Sequence, residues 1–130
     1  MIEKTVQIKK NLAMDEFILV FRHEDGNKVA SPEQIKVWMT QTQEWIQGIA
    51  SRNKFSEGTG LLFDDARIVW PHNKVTIGPF GKIKETIGGY VIVKADSVNE
   101  AVEFAKGCPV LQGDGNSVEV RKITRDEKKH

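Results

Sequence analysis

Two short apolar runs, each followed by a helix-start signal, constrain the fold of this chain most strongly. The first covers residues 17–21 and the second lies within residues 88–93. Successive side chains of a strand point to opposite faces, so a strand that is apolar throughout must be covered on both faces. The two runs therefore predict two central strands of one sheet, each leading into a helix.

Both predicted helices begin with a capping signal. Ser31 precedes Pro32, and Gln34 follows three residues after the serine, which is typical of a helix N-terminus. Ser97 and Glu100 repeat the spacing. The apolar stripe of the first helix consists of Ile35, Trp38, Met39, Thr42, Trp45, Ile46 and Ile49. The stripe of the second consists of Val98, Ala101, Val102, Ala105 and Cys108. Each stripe is expected to pack on the sheet.

The segments between and after these units predict a loop, a hairpin and a last strand. Residues 54–60 are polar and glycine-containing and are predicted as a loop. Residues 66–70 and 74–77 flank a turn composition that contains Pro71, so they predict a hairpin of two short strands. Residues 117–123 alternate between polar and apolar side chains, as a strand with one buried face does.

The order of these elements predicts an α+β fold, a ferredoxin-like domain of the βαββαβ type with two helices on one face of an antiparallel sheet. Because the central strands are apolar on the other face as well, a second copy of the chain is expected to cover it, giving a dimeric α/β barrel. The domain is assigned to residues 14–123. Residues 1–13 are interpreted as an N-terminal extension and residues 124–130 as a polar tail.

The composition narrows the possible partners. The 130 residues include 19 Lys and Arg against 18 Asp and Glu, and this near-neutral balance disfavours nucleic-acid binding through phosphates. No apolar run approaches the ~20 residues of a membrane span, so no membrane partner is expected. The expected partners are a second copy and a small-molecule ligand.

Cysteine and histidine are too few for a disulfide framework or a cysteine-rich zinc site. Cys108 is the single cysteine, and the chain has three histidines. No metal or cofactor is expected. The first ten residues lack the apolar core of a secretory signal, and a cytoplasmic location is the resulting expectation.

Alternation along the last strand places Glu119 and Arg121 on one face and Val118 and Val120 on the other. If the valines face the helices, the charged pair faces the dimer cavity. Arg121 could then receive a carboxylate or another anion, and Glu119 could serve as an acid or base. The alternative is a structural Glu–Arg ion pair within the sheet face or across the dimer. Arg22 on the first strand extends the polar patch.

His23 follows the first central strand and is the best candidate for a general base, because histidine titrates near neutral pH. Glu24 and Asp25 stand beside it as possible orienting carboxylates. The alternative interpretation is a solvated loop histidine next to acidic loop residues.

Residues 76–90, which contain Gly78-Pro79-Phe80, resemble the signature of the YCII-related proteins of the DGPF type, named for an Asp-Gly-Pro-Phe motif. The resemblance continues over residues 17–22, 31–33, 93–97, 103–109 and 118–121. It implies a ferredoxin-like dimer. It also implies that Glu85, which matches the family pattern, belongs to the ligand site.

The chain departs from that motif at its acidic position. Ile77 stands where the family has aspartate, and an alkyl side chain can neither transfer a proton nor accept a hydrogen bond. Relatives have been suggested to be enzymes that use a His–Asp pair, so this change disfavours an enzyme. The prediction is a small-molecule-binding or regulatory accessory dimer. The alternatives are a cofactor-independent isomerase- or lyase-like enzyme acting on a small polar or aromatic metabolite in the dimer cavity, and a purely structural dimer.

Overall fold

The computed structural model describes residues 14–23, 31–62, 65–78 and 86–124. In chain order its elements are β1 (Asp15–His23), α1 (Pro32–Ala50), β2 (Phe55–Gly60), β3 (Arg67–Trp70), β4 (Lys74–Ile77), β5 (Thr86–Ala95), α2 (Val98–Lys106) and β6 (Ser117–Lys122). The predicted N-terminal extension at residues 1–13 and all of the predicted tail except Thr124 lie outside the described residues.

Four strands form one antiparallel sheet in the order β2-β5-β1-β6. The two strands that were predicted to be central, β1 and β5, occupy the two inner positions. With two helices and this strand order, the chain has an α+β fold consistent with the ferredoxin-like arrangement. The predicted hairpin is confirmed as a separate two-stranded sheet of β3 and β4.

The prediction of a loop at residues 54–60 is wrong, because β2 forms there as an edge strand paired with β5. Its polar side chains suit an edge, where one side of the strand meets water. Gly58 makes the pairing possible, since a Cβ at this position would lie 2.8 Å from Val91 Cγ2 and 2.9 Å from the Tyr90 carbonyl oxygen.

The core lies between the sheet and the two helices. Phe17 and Leu19 of β1 and Val91 and Val93 of β5 are buried in it. From the helix layer the buried residues are Ile49, Ala101, Phe104 and Ala105. Trp45 joins the layers because its Nε1 donates a hydrogen bond of 2.9 Å to the Phe104 carbonyl oxygen. The local caps form as predicted, with Ser31 Oγ accepting from Gln34 N and Ser97 Oγ accepting from Glu100 N.

The apolar stripe of α1 packs on the sheet only in its second half. Trp45, Ile46 and Ile49 contact the core, whereas Trp38 and Met39 are 42% and 61% exposed. A helix of 19 residues is about 28 Å long, longer than the six-residue strands at the edges of the sheet. The prediction that the whole stripe packs on the sheet is therefore wrong for its first two turns.

Candidate functional site

The side of the sheet away from the helices is called the open face below. Strand alternation and register place on it, among others, Glu16, Ile18, Val20 and Arg22 of β1, Glu57 and Thr59 of β2, Tyr90, Ile92 and Lys94 of β5, and Glu119 and Arg121 of β6. Val118 and Val120 pack against the core on the other side. The condition on which the site prediction depended is therefore met, since Glu119 and Arg121 point away from the helices.

Glu119 forms an ion pair with Arg22 on the neighbouring strand. Arg22 donates from Nε and Nη2 to Glu119 Oε1, at 3.2 and 3.0 Å. The pair is diagonal across the sheet, because the register places Glu119 opposite Val20 and Arg22 opposite Ser117. Two residues of the predicted polar patch are thus in contact, and the Glu119 carboxylate is balanced by the Arg22 guanidinium.

Arg121 lies opposite Ile18 at the edge of the open face and is exposed. Its guanidinium has no hydrogen bond or ion pair within the described residues, in contrast to that of Arg22. Arginine presents a planar fork of donors that suits a carboxylate, so an anion of a ligand or of another chain can bind here.

His23 ends β1 beside an irregularity in the pairing of β1 with β5. Its ring lies over the backbone of Gly88, where a Cβ would come within 2.4 Å of the imidazole Cδ2 and Nε2 atoms. Burial lowers the pKa of His23 below its usual value, because the charged form loses hydration. A neutral imidazole is the form that accepts a proton. Glu24 and Asp25, the predicted orienting carboxylates, lie outside the described residues.

Ile77, at the position where the resemblance predicts an aspartate, ends β4 opposite Arg67 and is 81% exposed. It shares a face of the hairpin with Val69 and Val75, which are also exposed. Within the single chain this position therefore lies on a surface. Glu85, which the resemblance placed at the ligand site, lies outside the described residues.

Cys108 is buried, and burial raises the pKa of its thiol to about 11. The thiolate is therefore scarce at neutral pH, and Cys108 packs as a small buried hydrophobic side chain. Among residues 14–23, 31–62, 65–78 and 86–124, no three His, Cys, Asp or Glu side chains are grouped closely enough to hold a metal ion. No helix in the same ranges is long and apolar enough to cross a membrane.

A groove of about 420 Å³ lies on the exposed half of α1. Its described lining consists of Pro32, Glu33, Ile35, Lys36 and Met39. None of the residues predicted for the ligand site lines this groove, and it lies on the helix layer rather than on the open face.

Residues 17–125 match the model of the YCII-related domain. The chain belongs to the YCII-related family. The match covers the whole sheet except Asp15 and Glu16 at the start of β1. No curated protein matches the chain.

Glu57 and Tyr90 are among the open-face residues that were not predicted from the sequence. Glu57 was missed because residues 54–60 were predicted as a loop, and a loop residue has no assignable face. Tyr90 was treated only as part of an apolar run, although its hydroxyl group gives the open face a polar atom. Alternation of Tyr90 with Val91 and Ile92 was the signal available for its placement.

Proposed function

We propose that this YCII-related protein is a homodimer that binds a small polar or aromatic molecule on its open face, as a binding or regulatory module. The observation that carries the proposal is the distribution of side chains on that face. Ile18, Val20, Tyr90 and Ile92 form a half-buried centre, and charged side chains surround it. An apolar centre with a charged rim is typical of a surface that becomes buried in an assembly.

A second copy is the occupant that fits the shape of this surface. Two sheets pack face to face about 10 Å apart, which leaves room for interdigitated side chains and for a small ligand near an end of the interface. The same chain presents an apolar centre of the same size, so each copy covers the other.

We place the ligand at the end of the open face where Arg22 and Glu119 meet. Nη1 of Arg22 makes no hydrogen bond within the described residues and remains a donor for an anionic or carbonyl group. Val20 lies between Tyr90 and Glu119 in the register, so an aromatic ring bound there would contact apolar surface. This chemistry favours a small aromatic or unsaturated carboxylate. Glu85 remains a proposed member of the site, whereas Arg121, which pairs with Ile18, is proposed below as an interface residue.

A thermal-shift titration against aromatic carboxylates and hydroquinones tests this proposal, because a ligand that binds only the folded protein raises its stability by mass action. We expect a dose-dependent rise in melting temperature that is lost in Arg22→Ala. Lys36→Ala, which removes an exposed cation from α1, is the matched control and should retain the rise. A wild-type protein that responds to none of these probes, or an Arg22→Ala variant that responds fully, would contradict it.

The geometry of His23 supports the enzyme alternative. A half-buried imidazole, when neutral, can take a proton from one carbon of a bound unsaturated carboxylate and return it to another carbon, an isomerase-like reaction that needs no cofactor. Under this alternative, compounds that raise the melting temperature are converted when incubated with the protein and followed by NMR. His23→Gln should stop conversion and keep the thermal shift. Conversion at an unchanged rate in His23→Gln would exclude the role of His23.

A further inference from the structure

We propose that Arg121 forms an ion pair with Glu57 of a second copy of this chain, so that this contact, made twice, selects the dimer and its register. The inference rests on the proposed dimer and assigns Arg121 to the interface rather than to the ligand.

Several charges on and near the open face already have partners. Arg22 binds Glu119, Ser56 donates to Glu16 Oε2 at 2.8 Å, and Lys122 binds Asp15 at 3.1 Å. Three charged side chains of the open face have no hydrogen bond or ion pair within the described residues, namely Glu57, Lys94 and Arg121. All three are exposed in the single chain.

Glu57 and Arg121 are the two ends of one row across the sheet. Glu57 pairs with Ile92, Ile92 with Ile18, and Ile18 with Arg121. The row therefore has an acidic end on β2, two isoleucines in the middle and a basic end on β6. Its ends are about 14 Å apart, since neighbouring strands are separated by about 4.8 Å.

Consider two copies whose open faces are stacked, related by a two-fold axis that lies midway between the faces and runs parallel to the strands. Rotation about this axis sets the row of one copy over the same row of the other copy, with its ends reversed. Such a rotation keeps the position along the strands and reverses the strand order, so β6 faces β2 of the second copy. Arg121 then lies over Glu57 of the second copy, and Ile18 lies over Ile92. An extended arginine and a glutamate can together bridge a gap of about 10 Å between sheets.

The neighbouring rows also suit this axis. Glu16 pairs with Lys94 in the register, so the rotation sets each of them over the opposite charge of the second copy. In the row that contains Glu119, the same rotation sets the Glu119 carboxylate over Thr59 of the second copy. Glu119 therefore meets no like charge.

The competing axis, perpendicular to the strands through the row of Arg121, is disfavoured by charge. It would place Arg121 over Arg121 and Glu57 over Glu57. Like charges held close together oppose association, so electrostatics selects the parallel axis.

Charge-reversal variants test the contact. Glu57→Arg and Arg121→Glu each place like charges at both ends of the row, and each alone should weaken the dimer about tenfold or more at low salt. An equimolar mixture of the two should form a heterodimer of nearly wild-type affinity, because both contacts then join opposite charges. Sedimentation velocity of each variant and of the mixture gives these affinities.

Control variants distinguish loss of the Arg121–Glu57 contact from a general effect of changed charge. Glu44→Arg and Lys36→Glu make the same charge changes on α1 and should leave the dimer unchanged, and circular dichroism checks that every variant is folded. Wild-type protein that stays monomeric would overturn both this inference and the proposed function. A wild-type dimer with unaffected single variants, or a mixture that does not recover, would overturn the inference alone.

A chemical cross-link provides a second test that needs only a conservative change. In Arg121→Lys, a carbodiimide should join the introduced amine to the Glu57 carboxylate of a second, isotopically labelled copy, as mass spectrometry of the linked peptides would show. Links from position 121 only to other carboxylates would overturn the assignment. A ligand-induced thermal shift that is lost in Arg121→Ala while the dimer persists would also overturn it, by assigning Arg121 to the ligand.

Discussion

The imidazole of His23 is held over the backbone of Gly88, and its partial burial has a consequence for stability. Because burial lowers the pKa of His23, the unfolded chain binds a proton at pH values where the folded chain does not. Stability should therefore fall as the pH drops from above the usual histidine pKa towards the lower pKa of the folded state.

We compare melting temperatures at about pH 7.5 and about pH 5.5, on either side of the usual histidine pKa. As the pH is lowered over this range, the melting temperature of His23→Gln should fall less than that of the wild type. His72 and the carboxylates are common to both proteins, so the difference between the two pH profiles isolates His23. Identical profiles would show that the burial of His23 does not affect folding.

The buried thiol of Cys108 leads to a second prediction about a single residue. With the pKa of its thiol raised to about 11 and the side chain buried, labelling of Cys108 by a disulfide reagent at neutral pH should be slow in the native protein. Denaturant should accelerate it strongly. Equal rates in native and denatured protein would contradict the burial of Cys108.

For single residues, the direction of a side chain in a strand could be predicted from the sequence, but its partner on the neighbouring strand could not. Alternation correctly separated Val118 and Val120 from Glu119 and Arg121, because side-chain direction in a strand is local. The partner of Glu119 depends on the register between β1 and β6, which pairs Val20 with Glu119 and brings Arg22 within reach. No local pattern contains that register.

Among the secondary-structure elements, the start of β5 depends most on glycine. Gly89 has a φ of 155°, and a Cβ there would lie 2.7 Å from the Thr59 carbonyl oxygen. At Gly88 the obstacle is instead the side chain of His23, which can rotate away.

We expect Gly89→Ala to lower the free energy of unfolding by about 1–3 kcal/mol, the usual cost of a strained backbone position. Gly88→Ala should cost less and should displace His23. Urea denaturation of both variants measures the difference. A larger loss in Gly88→Ala than in Gly89→Ala would contradict the account of this strand pairing.

The helices were predictable because their signals are local, and β2 was not. The caps at Ser31 and Ser97 fix where α1 and α2 begin, through hydrogen bonds within four residues of sequence. β2 has a polar, glycine-containing sequence because it is an edge strand, and its pairing with β5 is a long-range contact. The exposed first half of α1 likewise reflects the size of the sheet and not the helix itself.

Over the whole molecule, the family match and the strand order establish the architecture, and the open face is where a function is proposed. Ile77, where the resemblance leads one to expect an aspartate, lies on an exposed hairpin face, whereas Arg22 and Glu119 form an ion pair on the open face. The amino-acid composition predicts neither the exposed hairpin face nor the contact between Arg22 and Glu119, because both depend on how the strands pair. The central claim is that a second copy covers the open face.

Sedimentation equilibrium of Ile18→Glu, beside the wild type and Ile35→Glu, tests that claim most directly. Ile18 lies at the centre of the open face, and Ile35 is an exposed isoleucine on α1. The account predicts that the wild type and Ile35→Glu have twice the 14.7 kDa mass of the chain and that folded Ile18→Glu is monomeric, since a buried unpaired charge opposes association. A monomeric wild type, or a dimer that persists in Ile18→Glu, would contradict it.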